Sequence, residues 1–181
     1  MRPVLFYTIG YPGAGKTTLA RSLATLLQIE HLRGDKIGLE LFRFPTFSPA
    51  ERQMVYAEMS RRSAEHLKAG RHVLYDAATN TRGQRTALEQ LARAHGGQAI
   101  GLWLQTPHEL AKKRAATVRD SGLVGQVARV IPPHLFEQYV AAFEPPVQEV
   151  VVTLSGDAPF YLQYRRLQRT LQGRVPLPRL V

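Results

Sequence analysis

The chain has no cysteine in its 181 residues, which removes disulfides, thiolate metal centres and cysteine nucleophiles together and suits a reducing compartment. Acidic side chains are scarce beside basic ones, 14 Asp and Glu against 24 Lys and Arg, leaving a net charge of +10. No apolar run approaches the ~18 residues of a membrane span, and the first residues read as a strand rather than an export signal. The six histidines fall without the spacing of a zinc motif, and G-x-S-x-G is missing, so zinc and serine-hydrolase chemistry have no support. A soluble, cytoplasmic protein is the expectation. The basic surplus is mostly arginine; it attracts phosphate-rich partners, nucleic acid among them.

Short apolar runs bounded by turn residues occur at 4–9, 29–32, 72–75, 99–104 and 147–154. Their Val, Ile, Leu and aromatic content is that of strands buried on both faces. Helical stripes lie between them: Leu19, Leu23, Leu26 and Leu27; Leu88, Leu91 and Ala92; Phe160, Tyr164, Leu167 and Leu171. The alternation predicts an α/β fold with a parallel sheet covered by helices on both faces, and ligands beyond the carboxyl ends of the strands. Residues 38–49 read as a loop before a long polar helix ending near Gly70, residues 119–133 as a glycine-punctuated basic lid, and 173–181 as a tail on a single domain of 1–172.

Directly after the first strand stands GYPGAGKTT, which fits G-x-x-x-x-G-K-[ST] with Gly10, Gly15, Lys16 and Thr17 at the fixed positions. Glycines let successive N–H groups turn inward around a phosphate, and the helix opening near Lys16 adds the positive end of its dipole. The nucleotide cradle is therefore Gly10, Tyr11, Pro12, Gly13, Ala14, Gly15, Lys16, Thr17 and Thr18. Lys16 is assigned to the β and γ phosphates and the Thr17 hydroxyl to Mg²⁺. No [NT]-K-x-D element of guanine-specific proteins occurs, which favours ATP.

Carboxylates then separate a transferase from a switch. Asp35, in HLRGDKI, leaves the second strand on the same sheet edge as the glycine loop. A carboxylate there can take the proton of an acceptor hydroxyl, or alternatively cap a helix starting near Lys36. Asp76 ends the third strand and is a candidate for metal or acceptor binding; Asn80, Arg82 and Arg85 follow as acceptor contacts, or as a cap and a solvated helical face. Arg114, Arg119 and Arg129 frame the lid, where Gly122 and Gly125 permit folding over nucleotide. Arg119 is the candidate for bridging the γ oxygens, and Arg129 for contacting the nucleotide.

GYPGAGKTTLARSLA, RGD at 33–35, AGRHVLYDAATNTRGQR at 69–85, WLQTPHELAKKRAATVR at 103–119 and FEPP at 143–146 together resemble the P-loop kinases of the AAA_33 type. That group is similar to the kinase domain of 5′-hydroxyl polynucleotide kinases and, more distantly, to zeta toxins and small-metabolite kinases. The resemblance, over residues 4–155, implies a P-loop NTPase fold of the kinase type with a five-stranded parallel core and a mobile lid. It also implies Lys16 and Thr17 at the ATP and Mg²⁺ positions, Asp35 as general base, Asp76 as the acid closing the third strand and Arg119 as a lid arginine. Polynucleotide kinases carry an arginine three residues beyond the base, as an acceptor-phosphate contact; Gly38 stands there in this chain, with Lys36, Arg33 and Arg43 as the candidate substitutes. The expected activity is ATP-dependent phosphoryl transfer to a hydroxyl, on a nucleic-acid 5′ end or another phosphate-bearing acceptor. A small-molecule kinase acting on a sugar, nucleoside or antibiotic is the alternative, followed by an ATPase or switch without an acceptor.

Overall fold

The computed structural model describes residues 2–46, 48–117, 120–123, 126–127, 130–173, 175 and 177, and for 120–123 and 126–127 the backbone alone. Five strands form one sheet: β1 Val4–Ile9, β2 Glu30–Arg33, β3 Val73–Asp76, β4 Gln98–Gln105 and β7 Val151–Ser155. Their order is β2-β3-β1-β4-β7, and every pairing is parallel. The expected doubly covered parallel sheet is present.

Residues of β1 alternate between two cores, as strand geometry requires. Val4 and Phe6 pack with Leu19 and Leu23 of α1 (Lys16–Leu27) and with Tyr164 and Leu167 of α7 (Phe160–Leu171). Leu5, Tyr7 and Ile9 face the opposite way, toward Met59 and Leu67 of α3 (Pro49–Lys68) and Leu88 and Ala92 of α4 (Arg82–Ala94). Val175 is buried in the first of these cores and Leu177 packs against it, so the described part of the C-terminal segment lies on the protein body.

Three local departures matter for the site. The expected loop from Gly38 begins as helix: α2 spans Gly34–Leu41, and Asp35 lies within its first turn, after the Arg33 cap position. Ser48 accepts a hydrogen bond from the Glu51 N–H and Pro49 takes the first helical position of α3, the arrangement these residues favour. The last strand is shorter than the apolar run suggests, because residues 147–150 turn back: Glu149 accepts from the backbone N–H groups of Val147 and Gln148.

Beyond β4, α5 (His108–Ala115) leads into an antiparallel pair, β5 Asp120–Leu123 and β6 Gln126–Val127, and then α6 (Pro133–Ala141). These elements occupy the stretch expected to form a lid. Arg119, Gly125 and Arg129 lie outside the described residues.

Candidate active site

The glycine loop joins β1 to α1 as the motif requires. Gly15 adopts φ 98°, a left-handed conformation that a side chain resists, and caps α1 without any side-chain hydrogen bond. The first-turn N–H groups of α1 are thus left to bind an anion. Lys16 folds over the loop and donates to the Gly10 and Tyr11 carbonyls, each at 2.8 Å. Burial lowers the pKa of its ammonium to about 8, with the Asp76 charge opposing that shift.

The loop is clamped from three sides. Asn80 accepts from the Gly10 N–H at 3.2 Å, and Thr106 donates to the Ala14 carbonyl at 2.9 Å. The Tyr11 ring packs edge-on against Phe143 and Phe136, at 5.1 and 6.2 Å between centroids. Gly13, at φ 76°, approaches α5 so closely that a Cβ would lie 2.1 Å from the Ala111 carbonyl oxygen.

Asp76 is buried at the tip of β3, in register with Arg33 of β2. His31 contacts its Oδ2 at 3.0 Å and the Thr8 hydroxyl donates to Oδ1 at 3.4 Å. The Arg33 guanidinium forks onto Asp35, Nε to Oδ1 at 3.1 Å and Nη2 to Oδ2 at 2.6 Å, and the Asp35 carboxylate also accepts from the Lys36 N–H. Lys16, Thr17, Asp35 and Asp76 border a single cavity of about 350 Å³.

The sequence-derived acceptor residues divide. Asn80 serves the glycine loop; the cap of α4 belongs to Thr81, whose hydroxyl and Gln84 form a reciprocal capping box. Arg82 is exposed and donates to the Gln148 side chain at 3.3 Å. Arg85 is neither a solvated face nor a cavity residue: it is fully buried, donating to Glu149 at 2.7 Å and to the Thr79 and Pro145 carbonyls. Burial pushes the Glu149 carboxyl up, yet Arg85 and the adjoining backbone N–H groups outweigh that and hold it at about 2. Arg114 donates to the Gly156 carbonyl at 2.9 Å, beside Gly15 of the loop.

His31 and Thr106 are not among the sequence candidates, and Arg33 enters them only as a substitute acceptor-phosphate contact, not as the partner of Asp35. Arg33 stands two residues from its partner across a strand-to-helix junction, where no regular periodicity brings side chains together. His31 and Thr106 depend on strand register and on the loop's path, which spacing does not reveal.

Among the described residues no group of three or more His, Asp or Glu gathers as a metal cage. The hydroxyl of Thr17 and the carboxylate of Asp76 are nonetheless hard oxygen donors on one cavity wall. They fit Mg²⁺, which keeps waters and takes phosphate oxygens as its remaining ligands.

Residues 5–146, covering the glycine loop, Asp35, Asp76 and α5, match the AAA_33 family, described as an AAA domain. The chain belongs to that family. No curated protein matches this AAA domain protein. Solved structures do resemble it. A gluconokinase from Sinorhizobium meliloti 1021 is 17% identical with a TM-score of 0.68, covering 94% of this chain and 93% of its own. The Mycobacterium tuberculosis APS kinase CysC, in complex with AMPPNP and APS, is 18% identical with a TM-score of 0.68, covering 95% and 99%. Chaetomium thermophilum Kti12 in complex with ADP-AlF3 is 17% identical with a TM-score of 0.69, covering 94% and 100%. At these identities the likeness is one of fold: this AAA domain has the P-loop kinase architecture. No helix among the described residues is long and apolar enough to cross a membrane.

Proposed function

We propose that the protein is an ATP-dependent phosphotransferase that moves the γ-phosphate to an acceptor hydroxyl. One observation carries this reading: the phosphate-loop lysine and threonine share a cavity with two strand-tip carboxylates, one of them half-exposed. A pure nucleotide switch has no use for the second carboxylate. Solved structures of the same fold with AMPPNP and ADP-AlF3 are in keeping with a nucleotide substrate.

In the proposed reaction the loop N–H groups and the α1 terminus hold the β and γ phosphates, and Lys16 exchanges its two carbonyl partners for phosphate oxygens. Thr17 and Asp76 would hold Mg²⁺, which supplies charge neutralisation when bound. His31 and Thr8 keep the Asp76 carboxylate fixed. Asp35, aligned by Arg33, accepts the proton of the acceptor alcohol. The alcohol oxygen bonds to the γ-phosphorus, the bond from that phosphorus to the β–γ bridging oxygen breaks, and the electron pair leaves on ADP. Arg119 is assigned to the γ oxygens and Arg129 to the nucleotide, in a lid spanning about residues 119–133 of a single domain.

The cavity volume lies at the small end of ligand pockets, about 300–1,000 Å³. That favours a compact small-molecule acceptor over a polymer. A polynucleotide 5′-hydroxyl is the second reading, favoured by the net charge of +10.

Transfer from labelled ATP to a mixed panel of alcohols tests the proposal. Lys16→Ala should abolish it, and Asp35→Asn should lower it about 10²–10⁴-fold while leaving ATP binding nearly intact. Equal loss of binding in both variants would remove Asp35 from the role of base. Oligonucleotide binding over a salt series separates the acceptors, since a polymer loses affinity steeply with salt.

A further inference from the structure

Away from its charged end the cavity changes character. Phe42, Pro45, Val55, Tyr56 and Ile131 supply the larger side chains of the remaining wall. Of the polar side chains on this wall among the described residues, Glu51 and Tyr56 are already engaged and only Arg52 is not. Glu51 accepts from the Thr46 N–H at 2.7 Å, and the Tyr56 hydroxyl donates to the Ala78 carbonyl at 3.4 Å. Gly38 adds open volume, because a Cβ there would meet only Val55 Cγ2, at 3.6 Å.

Such a wall does not fit a polyol. Every acceptor hydroxyl beyond the reacting one would leave water for a surface with few free donors or acceptors, which costs affinity. Nor does it resemble a groove for a nucleic-acid backbone, where several cations line the path. Among the described residues Arg52 is the sole arginine on this wall; it is exposed, and its guanidinium makes no hydrogen bond or ion pair there. An apolar body with one hydroxyl matches both ends of the cavity at once.

We propose that the acceptor is a compact alcohol with a mainly apolar, ring-bearing body, its hydroxyl at Asp35 and its ring against Phe42, Val55 and Tyr56. This rests on the phosphotransfer reading above. The atoms balance as there: the alcohol proton goes to the Asp35 carboxylate, its oxygen bonds to the γ-phosphorus, and ADP leaves with the electron pair of the broken bond. The product is a phosphate monoester, whose two negative charges suit this wall poorly and favour its departure.

The test uses the full chain, labelled ATP and three sets of acceptors: benzyl alcohol, cyclohexylmethanol and naphthylmethanol; gluconate and ribose; and a 5′-hydroxyl oligonucleotide. The ring alcohols should react with kcat/KM at least about tenfold above the other two sets. Phe42→Ser and Gly38→Arg should each raise the ring-alcohol KM about tenfold with the KM for ATP unchanged. Two variants are used because Phe42→Ser removes a ring that also packs against the second core, whereas Gly38→Arg keeps that ring and adds bulk and charge to the cavity.

Faster transfer to gluconate, ribose or the oligonucleotide overturns the inference while phosphotransfer itself stands. So does saturable ATP binding with no ring alcohol phosphorylated, and so does an unchanged ring-alcohol KM in both variants. Absence of ATP binding by calorimetry removes the phosphotransfer reading, and this inference with it.

Discussion

Two arginine–carboxylate pairs flank this fold and do opposite work. Arg85 and Glu149 are 0% and 6% exposed, and the guanidinium also reaches the Thr79 and Pro145 carbonyls. Arg33 and Asp35 are 10% and 48% exposed, with the carboxylate on the wall of the cavity. The first pair bolts α4 to the turn before β7; the second holds a carboxylate in place while leaving it open to an incoming group. A sequence reader sees arginines and acids in both places. Burial of the acid separates them, because a carboxylate enclosed by its partners has no approach left for a substrate.

The sharpest way to break this comparison is to neutralise the exposed acid. Asp35→Asn should lower the rate of transfer by about 10²–10⁴-fold with an unchanged melting temperature. A variant that lost stability as well would put Asp35 in the same structural class as Glu149. Next in size, Arg85→Ala leaves Glu149 charged and enclosed, and should cost about 3–5 kcal/mol in urea unfolding. Arg85→Met with Glu149→Gln should recover part of that loss. A single-variant cost below about 1 kcal/mol would mean that the pair is replaceable and the contrast empty.

Titration sharpens the same contrast. Glu149 has its folded pKa depressed from 4.5 to about 2, so its contribution is present above pH 4.5 and lost as the pH falls through about 2. Acid unfolding of Arg85→Ala should accordingly be shallower across that window. Lys16, with its pKa lowered to about 8 by burial, loses charge in the empty loop as the pH rises through 8. ATP binding should weaken above that pH and take up protons, read by calorimetry in buffers of different ionisation enthalpy; Lys16→Met should show no uptake. The smallest change is expected from Arg33→Ala: stability within about 1 kcal/mol, since its partner is half in water, with a several-fold slower transfer. An activity equal to that of the unaltered protein would deny Arg33 its positioning part.

The parallel sheet and the glycine loop were legible because both are written locally, one as apolar runs of strand length and the other as a fixed motif. Asp35 and Asp76 were legible for the related reason that a strand end has one direction to point. Arg85 was misread because it stands on the buried face of α4 with Leu88 and Ala92 despite its charge, and nothing near it in the chain signals Glu149, 64 residues away. α2 was legible only as a helix starting near Lys36, and its extent was hidden by Gly38 and the run toward Pro45 and Pro49, which read as a loop although the helix ends before either proline. His31 needed the β2-to-β3 register to meet Asp76, and that register is a property of the whole sheet.

The contact of Gly13 with the Ala111 carbonyl leaves the phosphate loop and α5 no clearance. The two are meshed like adjoining gear teeth, so α5 cannot slide along its axis while the loop keeps its shape. Any side chain at position 13 would therefore have to move the backbone of α5 or of the loop, since neither leaves room for it.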